Sequence, residues 1–176
     1  MNPVRVSKYL ARILRHDPVA AGLALDLQGW TPVADVLAAV SRRFGPFDRA
    51  DLERLVQAND KQRYALSPDG SMIRANQGHS VAVDLGLDPA MPPPLLYHGT
   101  IAALLPAIRR DGLLKGRRTH VHLSADVATA TRVGNRRPGA TVVLTVRSGD
   151  MRDHPFFRSA NGVWLTDHVL PAYLLI

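Results

Sequence analysis

The residues best suited to chemistry in this sequence are arginines and histidines, which occur in short basic groups. The groups lie at positions 15–16, 61–63, 117–122 and 136–137. A guanidinium group stays charged at neutral pH and donates paired hydrogen bonds to phosphate oxygens, whereas an imidazole exchanges a proton in that pH range. These residue types together predict the binding of a phosphate-rich ligand, with histidine available for orientation or proton transfer.

Each basic group also has a structural explanation, which the sequence alone leaves open. Positions 15–16 fall at the end of a predicted helix, where the helix dipole favours cations. His120 and His122 share one face of a predicted strand and could bind a metal ion, but no third ligand is evident nearby, so hydrogen bonding is the favoured role. Residues 133–139 contain glycines and arginines but lack the spacing of the known phosphate-binding loops.

The composition excludes several classes of function. The chain has no cysteine, which removes disulfides, thiolate metal sites and cysteine nucleophiles. Glu53 is the only glutamate, which removes mechanisms that depend on a glutamate pair. Lysine and arginine total 22 against 15 acidic residues, and the formal net charge is +7. This arginine excess predicts a partner such as nucleic acid or a dinucleotide, although the base composition of the gene would explain the ratio equally well.

The length of 176 residues suits one ordinary domain or two small lobes. The longest mostly apolar stretch, Val19 to Leu25, is far shorter than the roughly 20 residues of a membrane-spanning helix, so we expect no membrane contact. Residues 1–15 mix basic and apolar residues at helical spacing and contain no secretory core. We therefore expect a cytoplasmic protein, with a monomer as the default.

A proline-rich segment divides the sequence. Residues 88–94, Asp-Pro-Ala-Met-Pro-Pro-Pro, cannot continue a helix or a central strand. We therefore predict three parts, which are an N-terminal lobe over residues 1–84, a linker over 85–94 and a C-terminal lobe over 95–176.

The N-terminal lobe has the pattern of three helices followed by a hairpin. Apolar residues at helical spacing predict a first helix that ends at positions 15–16. Thr31 as N-cap and Pro32 as first helical residue predict a second helix. Asp48 caps a predicted third helix, and residues 63–74 have the pattern strand, turn, strand. Three helices and a hairpin predict a winged-helix lobe, a fold that often contacts a phosphate backbone.

Strands and helices alternate in the C-terminal lobe. The predicted strands cover residues 95–98, 121–123, 140–146, 163–165 and 173–175. The predicted helices run from Ile101 to Arg110, closed by Gly112, and from about Ala125. The run 140–146 is rich in β-branched residues and is therefore expected to be a central strand. The predicted fold class is α+β.

Two further stretches of this lobe are candidates for ligand contacts. His98 and Thr100 flank Gly99, so two hydrogen-bonding side chains stand beside a residue without a Cβ, where a ligand could approach the backbone. Residues 161–165, Asn-Gly-Val-Trp-Leu, allow either a ligand contact or a turn with a buried indole. An ordinary strand end is the alternative for the first stretch.

Taken together and in order, these stretches resemble the RNA 2′-phosphotransferases, also called tRNA 2′-phosphotransferases, an NAD-dependent family. The resemblance extends nearly from end to end. The matching stretches are Ser7-Lys8 through Leu14-Arg15-His16, Gly29-Trp30, Asp60-Lys61-Gln62-Arg63-Tyr64, Ile73-Arg74-Ala75, Gln77-Gly78-His79-Ser80, Leu96 to Thr100, Arg118, His120 to Ser124, Val133-Gly134, Arg136 and Asn161 to Leu165. The family pattern often has phenylalanine where this chain has Tyr64, a difference that retains the aromatic ring.

The resemblance implies an N-terminal winged-helix lobe that presents RNA and a C-terminal ADP-ribosyltransferase-like mixed α/β lobe that holds NAD. It also implies removal of an internal RNA 2′-phosphate in two steps. The 2′-phosphate attacks the anomeric carbon of the nicotinamide ribose, which releases nicotinamide and leaves 2′-phospho-ADP-ribosylated RNA; the ribose 2″-hydroxyl then attacks the phosphorus. The products would be RNA with a free 2′-hydroxyl and ADP-ribose 1″,2″-cyclic phosphate. NAD would be consumed as a co-substrate, and no metal is expected.

The resemblance implies which residues form the site. The catalytic set is Arg15, His16, Arg63 and Arg118. The RNA phosphate would be bound by Arg15, His16, Lys61, Arg63 and Arg118. NAD would be bound by His98, Gly99, Thr100, His122, Leu123, Ser124, Gly134 and Arg136, with residues 161–164 as a further candidate. Because the attacking phosphate is already a nucleophile, holding it in line is the main requirement, which suits arginine, while His16 would orient it or move a proton.

Two other functions stay open on sequence grounds. A winged-helix DNA-binding regulator would account for the charge and the first 80 residues but gives the C-terminal motifs no purpose. A transferase that ADP-ribosylates 5′-phosphorylated nucleic acid ends, or a protein, would share the NAD pocket and leave a stable ADP-ribosyl product. Within the leading interpretation, the physiological substrate could be a tRNA after splicing or another 2′-phosphorylated RNA.

Overall fold

The structure is a computed structural model that describes residues 2–59 and 62–176. The chain divides into two compact units, Met1–Gly86 and Leu87–Ile176, which are described separately below. The described residues form a mixed α+β structure with small antiparallel sheets, as the sequence predicts. In the described ranges, every helix is too short or too polar to cross a membrane.

Three helices form most of the first unit, and local sequence explains where they begin. They are α1 (Pro3–Arg15), α2 (Val33–Phe44) and α3 (Arg49–Gln57). The side chain of Asn2 accepts hydrogen bonds from two backbone amides of the first turn of α1. Asp48 and the residue three positions later bond reciprocally to each other's backbone at the start of α3, a capping box. The predicted Asp48 cap is confirmed.

A three-stranded sheet completes the first unit. Strands β1 (Thr31–Pro32), β2 (Tyr64–Leu66) and β3 (Met72–Ala75) are antiparallel in the order β1-β3-β2. The prediction that Thr31 caps α2 is wrong, because Thr31 is fully buried in β1 and α2 begins at Val33 without a side-chain cap. Pairing with β3 satisfies the backbone at this position and leaves the hydroxyl no role as a cap.

The core of the first unit is built on the apolar stripe of α1. Val6, Leu10, Ile13 and Leu14, the residues at helical spacing, are all buried. They belong to one cluster with buried residues of α2, α3 and β3. This packing fixes the direction in which the C-terminal end of α1 presents its last residues.

The second unit contains eight strands and two α-helices within its described residues. They are β4 (Leu96–Ile101), α4 (Leu105–Asp111), β5 (Leu113–Leu114), β6 (Val121–Leu123), α5 (Val127–Gly134), β7 (Thr141–Val146), β8 (Phe156–Arg158), β9 (Trp164–Thr166), β10 (His168–Val169) and β11 (Leu174–Leu175). The sheets have the orders β11-β7-β4, β6-β9-β8 and β10-β5. The run predicted as a central strand is β7, which lies between two neighbours, so that prediction is confirmed.

Two predictions for this unit differ from the structure. Ile101, placed at the start of a helix by its sequence, is the last residue of β4, and α4 starts only at Leu105 after a 3₁₀ turn. Backbone pairing of Ile101 with Thr141 extends the strand to this point. The predictions also lack three short strands, which are β5, β8 and β10.

The proline-rich segment lies at the start of the second unit and is hydrogen bonded to later residues of that unit. The amide of Ala90 donates to the carbonyl of Phe156 at 2.7 Å, and the amide of Gly149 donates to the carbonyl of Pro94 at 3.0 Å. The hydroxyl of Ser148 donates to the carbonyl of Pro93 at 2.7 Å. Prolines lack an amide hydrogen but keep their carbonyls, and the carbonyls of Pro93 and Pro94 are the acceptors in the last two of these bonds.

Helix α5 packs closely against the sheet because a glycine lies on each side of the contact. These are Gly134 in α5 and Gly99 in β4. A Cβ built on Gly99 would overlap the carbonyl oxygen of Ala130, and one on Gly134 would lie 2.6 Å from Cγ2 of Thr141. The absence of a Cβ at Gly99 therefore serves the packing of α5, and the expectation that a ligand contacts the backbone here stays a prediction. Gly134 is the last residue of α5 and not part of a loop.

Candidate functional site

Arg15, His16 and Arg63 lie near one another in the first unit, although 48 positions of chain separate the outer two. Arg15 ends α1, His16 is its C-cap and Arg63 directly precedes β2. The hydroxyl of buried Tyr64 donates to the carbonyl of Ser7 in α1 at 2.7 Å, which ties β2 to this helix. Burial raises the pKa of Tyr64, and the charges of Arg15 and Arg63 act in the opposite direction. Both guanidinium groups therefore lie within electrostatic range of this phenol.

A loop beyond β3 holds the end of α1 in place. The amide of Ser80 donates to the carbonyl of Arg15 at 2.9 Å, and the amide of Val81 is 3.4 Å from the same oxygen. The hydroxyl of Ser80 lies 2.9 Å from Nδ1 of His16. One loop thus satisfies an exposed helix carbonyl and orients the imidazole next to it.

His79 of the same loop is fully buried beneath these basic residues. Burial, followed by the charges of Arg15, His16 and Arg74, lowers its pKa from 6.5 to about 4. Neither of its ring nitrogens has a hydrogen-bond partner in the described part of the chain. His79 is therefore neutral at pH 7 and packs as an uncharged ring under a cationic surface.

Arg63 has a further contact in this unit. Nη1 of Arg63 donates to Oδ1 of Asn59 at 3.3 Å, which directs the guanidinium toward the end of α3. Lys61, predicted as a phosphate ligand, lies outside the described residues, as does Asp60.

In the second unit, His98 lies where two sheets separate. Tyr97 of β4 and Ser124, just after β6, form a backbone bridge with N–O distances of 2.8 and 2.9 Å. One position further, Nδ1 of His98 lies 3.0 Å from the carbonyl oxygen of His122. A carbonyl oxygen only accepts, so Nδ1 carries the proton and Nε2 of the neutral ring is left as an acceptor. The imidazole of His98 thus bonds to the carbonyl of β6 that would otherwise be free to pair with the backbone of β4.

Arg118 completes this group. Its Nη1 donates to Nδ1 of His122 at 3.0 Å, and because a guanidinium only donates, that nitrogen of His122 is unprotonated. Burial is the largest cause that lowers the pKa of His98, with Arg118 and Arg137 contributing. Burial also lowers the pKa of Arg118, with Arg137 and Arg136 contributing. The charged neighbours in both cases are arginines, so this cluster is cationic and suited to an anionic ligand.

The other residues that the sequence predicts for this site differ in burial and in their contacts. Thr100 and Leu123 are buried in the interior, and Ser124 forms the bridge with Tyr97. Arg136 is exposed in the turn after α5. The stretch from Asn161 contains a turn in which Ser159 donates to Oδ1 of Asn161 at 2.7 Å. The indole of Trp164 is buried, as in the structural interpretation of that stretch.

The predicted histidine pair at 120 and 122 does not form a shared site in the structure. Strand β6 begins only at Val121, and the ring of His120 contacts that of Phe157 edge-on at 5.6 Å. Within residues 2–59 and 62–176, no group of three histidine, aspartate or glutamate side chains could hold a metal ion.

Sequence reasoning gave no role to Ser80 and His79, and gave Arg137 only a general one within a candidate phosphate-binding loop. Ser80 and His79 belong to a stretch that carried the resemblance, which was the only signal for them. Arg137 follows Arg136 directly, and only the structure shows that its charge acts on both His98 and Arg118.

The described residues thus form two clusters on an α+β scaffold, each built from arginine and histidine, and this composition is typical of sites that bind phosphate groups. The comparison with known families is specific: residues 1–168 match the model of "RNA 2'-phosphotransferase, Tpt1 / KptA family", and the chain belongs to this family. RNA 2′-phosphotransfer is thus the activity class of the chain.

Curated relatives agree over almost the whole length. A protein of Streptomyces griseus is 52% identical over 182 residues, covering 98% of this chain and 96% of the relative. Proteins of Streptomyces coelicolor and Agrobacterium fabrum are 53% and 51% identical, each covering 97% of this chain and 93% and 92% of the relative. All three are named "Probable RNA 2'-phosphotransferase".

Proposed function

We propose that this protein removes an internal 2′-phosphate from RNA in an NAD-dependent reaction, with a winged-helix lobe for RNA and an ADP-ribosyltransferase-like lobe for NAD. The 2′-phosphate displaces nicotinamide from the anomeric carbon, and the ribose 2″-hydroxyl then displaces the RNA 2′-oxygen from phosphorus. RNA with a 2′-hydroxyl and ADP-ribose 1″,2″-cyclic phosphate result. The match to the RNA 2′-phosphotransferase family over residues 1–168 is the observation that carries the proposal.

The first cluster suits the phosphate nucleophile. The guanidinium groups of Arg15 and Arg63 present charged donors that match phosphate oxygens, and Ser80 and Val81 hold Arg15 and His16 in place. A dianion held in this way can be placed in line with a sugar carbon without a proton first being removed. Arg15 and Arg63 would bind the phosphate, with Lys61 as a further ligand, and His16 would orient it or move a proton.

The second cluster suits NAD. Nε2 of His98 can accept a hydrogen bond in the neutral ring, and the arginines at 118, 136 and 137 supply positive charge for phosphate oxygens. Of these, Arg118 would also stabilise charge on the transferred phosphoryl group in the second step. The side chain of Ser124, which directly follows β6, would add a polar contact to the co-substrate.

A direct assay separates this proposal from the alternatives. The purified protein is incubated with a short RNA that carries one internal 2′-phosphate, with and without NAD and without added metal, and the products are resolved by mass. We expect NAD-dependent loss of the phosphate and formation of ADP-ribose cyclic phosphate. A persistent ADP-ribosyl adduct, or modification of 5′-phosphorylated ends, would indicate a capping transferase instead. Tight binding of duplex DNA with no effect of NAD would indicate a regulator.

A further inference from the structure

A groove with a volume of about 590 Å³ runs along α1 in the first unit, and it extends beyond the residues discussed so far. One wall is α1, and the other is formed by the end of α3 and the residues that follow it. His16 and Arg63 both line this groove, so it opens directly from the first cationic cluster. We call it the α1 groove.

A row of cations extends along the α1 groove away from the cluster. Lys8, Arg12 and His16 are spaced four residues apart on α1 and all line the groove. Side chains four positions apart lie on the same face, about 6 Å further along the axis with each step. Lys8 therefore lies roughly 12 Å from His16, beyond the reach of a single phosphate group.

The charges of the α1 groove fit a polyanion. Every charged side chain among its described lining residues is basic. Arg12 pairs with Asp17 at 2.8 Å, but the arginine side chain is 66% exposed, and an exposed pair of this kind contributes little and can exchange for a phosphate. Lys8 is exposed on the groove wall.

Apolar atoms alternate with these charges. Val4, Ala11 and Leu55 line the groove beside the cations, and they are half-buried or exposed. A surface of this composition can contact ribose and base faces while the basic side chains contact phosphodiesters, which is how single strands are bound without reading their sequence.

We infer that the α1 groove binds the RNA strand that flanks the 2′-phosphorylated nucleotide, with Lys8 and Arg12 contacting its phosphodiester groups. This inference rests on the proposed function. It defines the substrate as an RNA strand with several nucleotides beside the modified one, bound through its backbone. Lys8 is a substrate-binding residue outside the reacting group.

The test compares substrates of different length. Wild type, Lys8→Ala and Lys8→Glu are assayed with a 2′-phosphorylated dinucleotide and with nonamers that extend it on the 5′ or the 3′ side. We expect Lys8→Ala to raise KM about fivefold to tenfold for one nonamer and less than twofold for the dinucleotide, with kcat unchanged. Lys8→Glu should raise the same KM further. Arg109→Ala, an exposed arginine of α4, is the charge-matched control and should leave every KM unchanged.

A binding measurement keeps the inference testable if the reaction itself fails. If wild type removes the 2′-phosphate from no substrate, the proposed function is wrong. Affinity for an unphosphorylated nonamer, followed by fluorescence anisotropy across a salt series, still tests the groove, and Lys8→Ala should reduce the logarithmic salt slope by about one. Equal RNA affinity of wild type and Lys8→Glu, or an equal rise in KM for dinucleotide and nonamers, would overturn the inference.

Discussion

The hydroxyl of Ser80 and Nδ1 of His16 are 2.9 Å apart, although 64 positions separate the two residues in the chain. The amide of the same serine donates to the carbonyl of Arg15. The backbone of one loop residue thus holds the end of α1, while its side chain selects the orientation of the imidazole. These contacts make Ser80 a positioning residue for His16.

Ser80→Ala should lower kcat roughly three- to tenfold, the range expected for loss of one ordinary hydrogen bond, with little change in KM for NAD. Ser80→Thr, which keeps the hydroxyl, should restore most of the rate. Circular dichroism and the pH profile of kcat for all three proteins check this, since a general loss of structure would affect both variants alike. Equal rates for Ala and wild type would show that His16 is oriented by other contacts.

Arg63→Ala and Arg118→Ala should each reduce turnover by about 100-fold or more while the fold stays intact, because each removes a charged donor to the transferred phosphate. Single-turnover assays with 2′-phosphorylated RNA measure the loss. Arg110→Ala, which removes a largely exposed arginine of α4, is the matched control and should be nearly silent.

The products distinguish the roles of the two arginines. Accumulation of ADP-ribosylated RNA with Arg63→Ala would place the main effect of Arg63 in the second step. Near-normal rates for both variants would show that the assignment of the site is wrong.

Much of the fold follows from local signals. The stripe of Val6, Leu10 and Ile13 and the capping pair at the start of α3 determine their helices within a few neighbouring residues, and β7 is marked by its β-branched composition. Thr31 has the residue type of an N-cap, but pairing with a strand 42 positions away determines its conformation. Such long-range pairing has no local signature.

The candidate site was predictable to the extent that its residues lie in short motifs. The basic groups at 15–16 and 118–122 are evident in the sequence, whereas their contacts are not. The hydrogen bond from Arg118 to His122 sets the tautomer of that histidine, and the pairing of β6 with β9 brings distant strands together to position it. A sequence pattern shows which donors are present but not which acceptors they meet.

The first unit should become less stable as the pH is lowered from 6.5 to 4, because His79 is harder to protonate in the folded protein than in the unfolded chain. Its pKa is lowered from 6.5 to about 4 in the folded state, so the unfolded chain binds more protons in this window and acid favours unfolding. The difference corresponds to about 3 kcal/mol of unfolding free energy between the two ends of the window. The contribution is fully present above pH 6.5.

Denaturant unfolding of wild type and His79→Leu at several pH values measures this contribution. The variant should lose stability less steeply between pH 6.5 and 4, so the difference between the two proteins should change by about 3 kcal/mol in that direction. Parallel curves would mean that His79 is protonated as readily in the folded protein as in the unfolded chain.

Gly134→Ala should destabilise the second unit by roughly 1–3 kcal/mol, although alanine is the better helix former, because the new Cβ would lie 2.6 Å from Cγ2 of Thr141. Thr141→Ser removes that methyl group, so the double variant should recover part of the loss. Gly99→Ala should be more damaging, since its Cβ meets a backbone carbonyl that no substitution can remove. Thermal unfolding of wild type, the three single variants and the double variant checks the order, and additive effects of the substitutions at 134 and 141 would contradict the predicted contact.

The bond from His98 to the carbonyl of His122 also has a mechanical consequence. Beyond the Tyr97–Ser124 bridge, the next contact between the two strands is made by the side chain of His98 and the carbonyl of His122. The junction between these strands therefore depends on one side chain as well as on backbone pairing. A shorter side chain at position 98 would remove this contact and leave the Tyr97–Ser124 bridge to hold the strands together at this point.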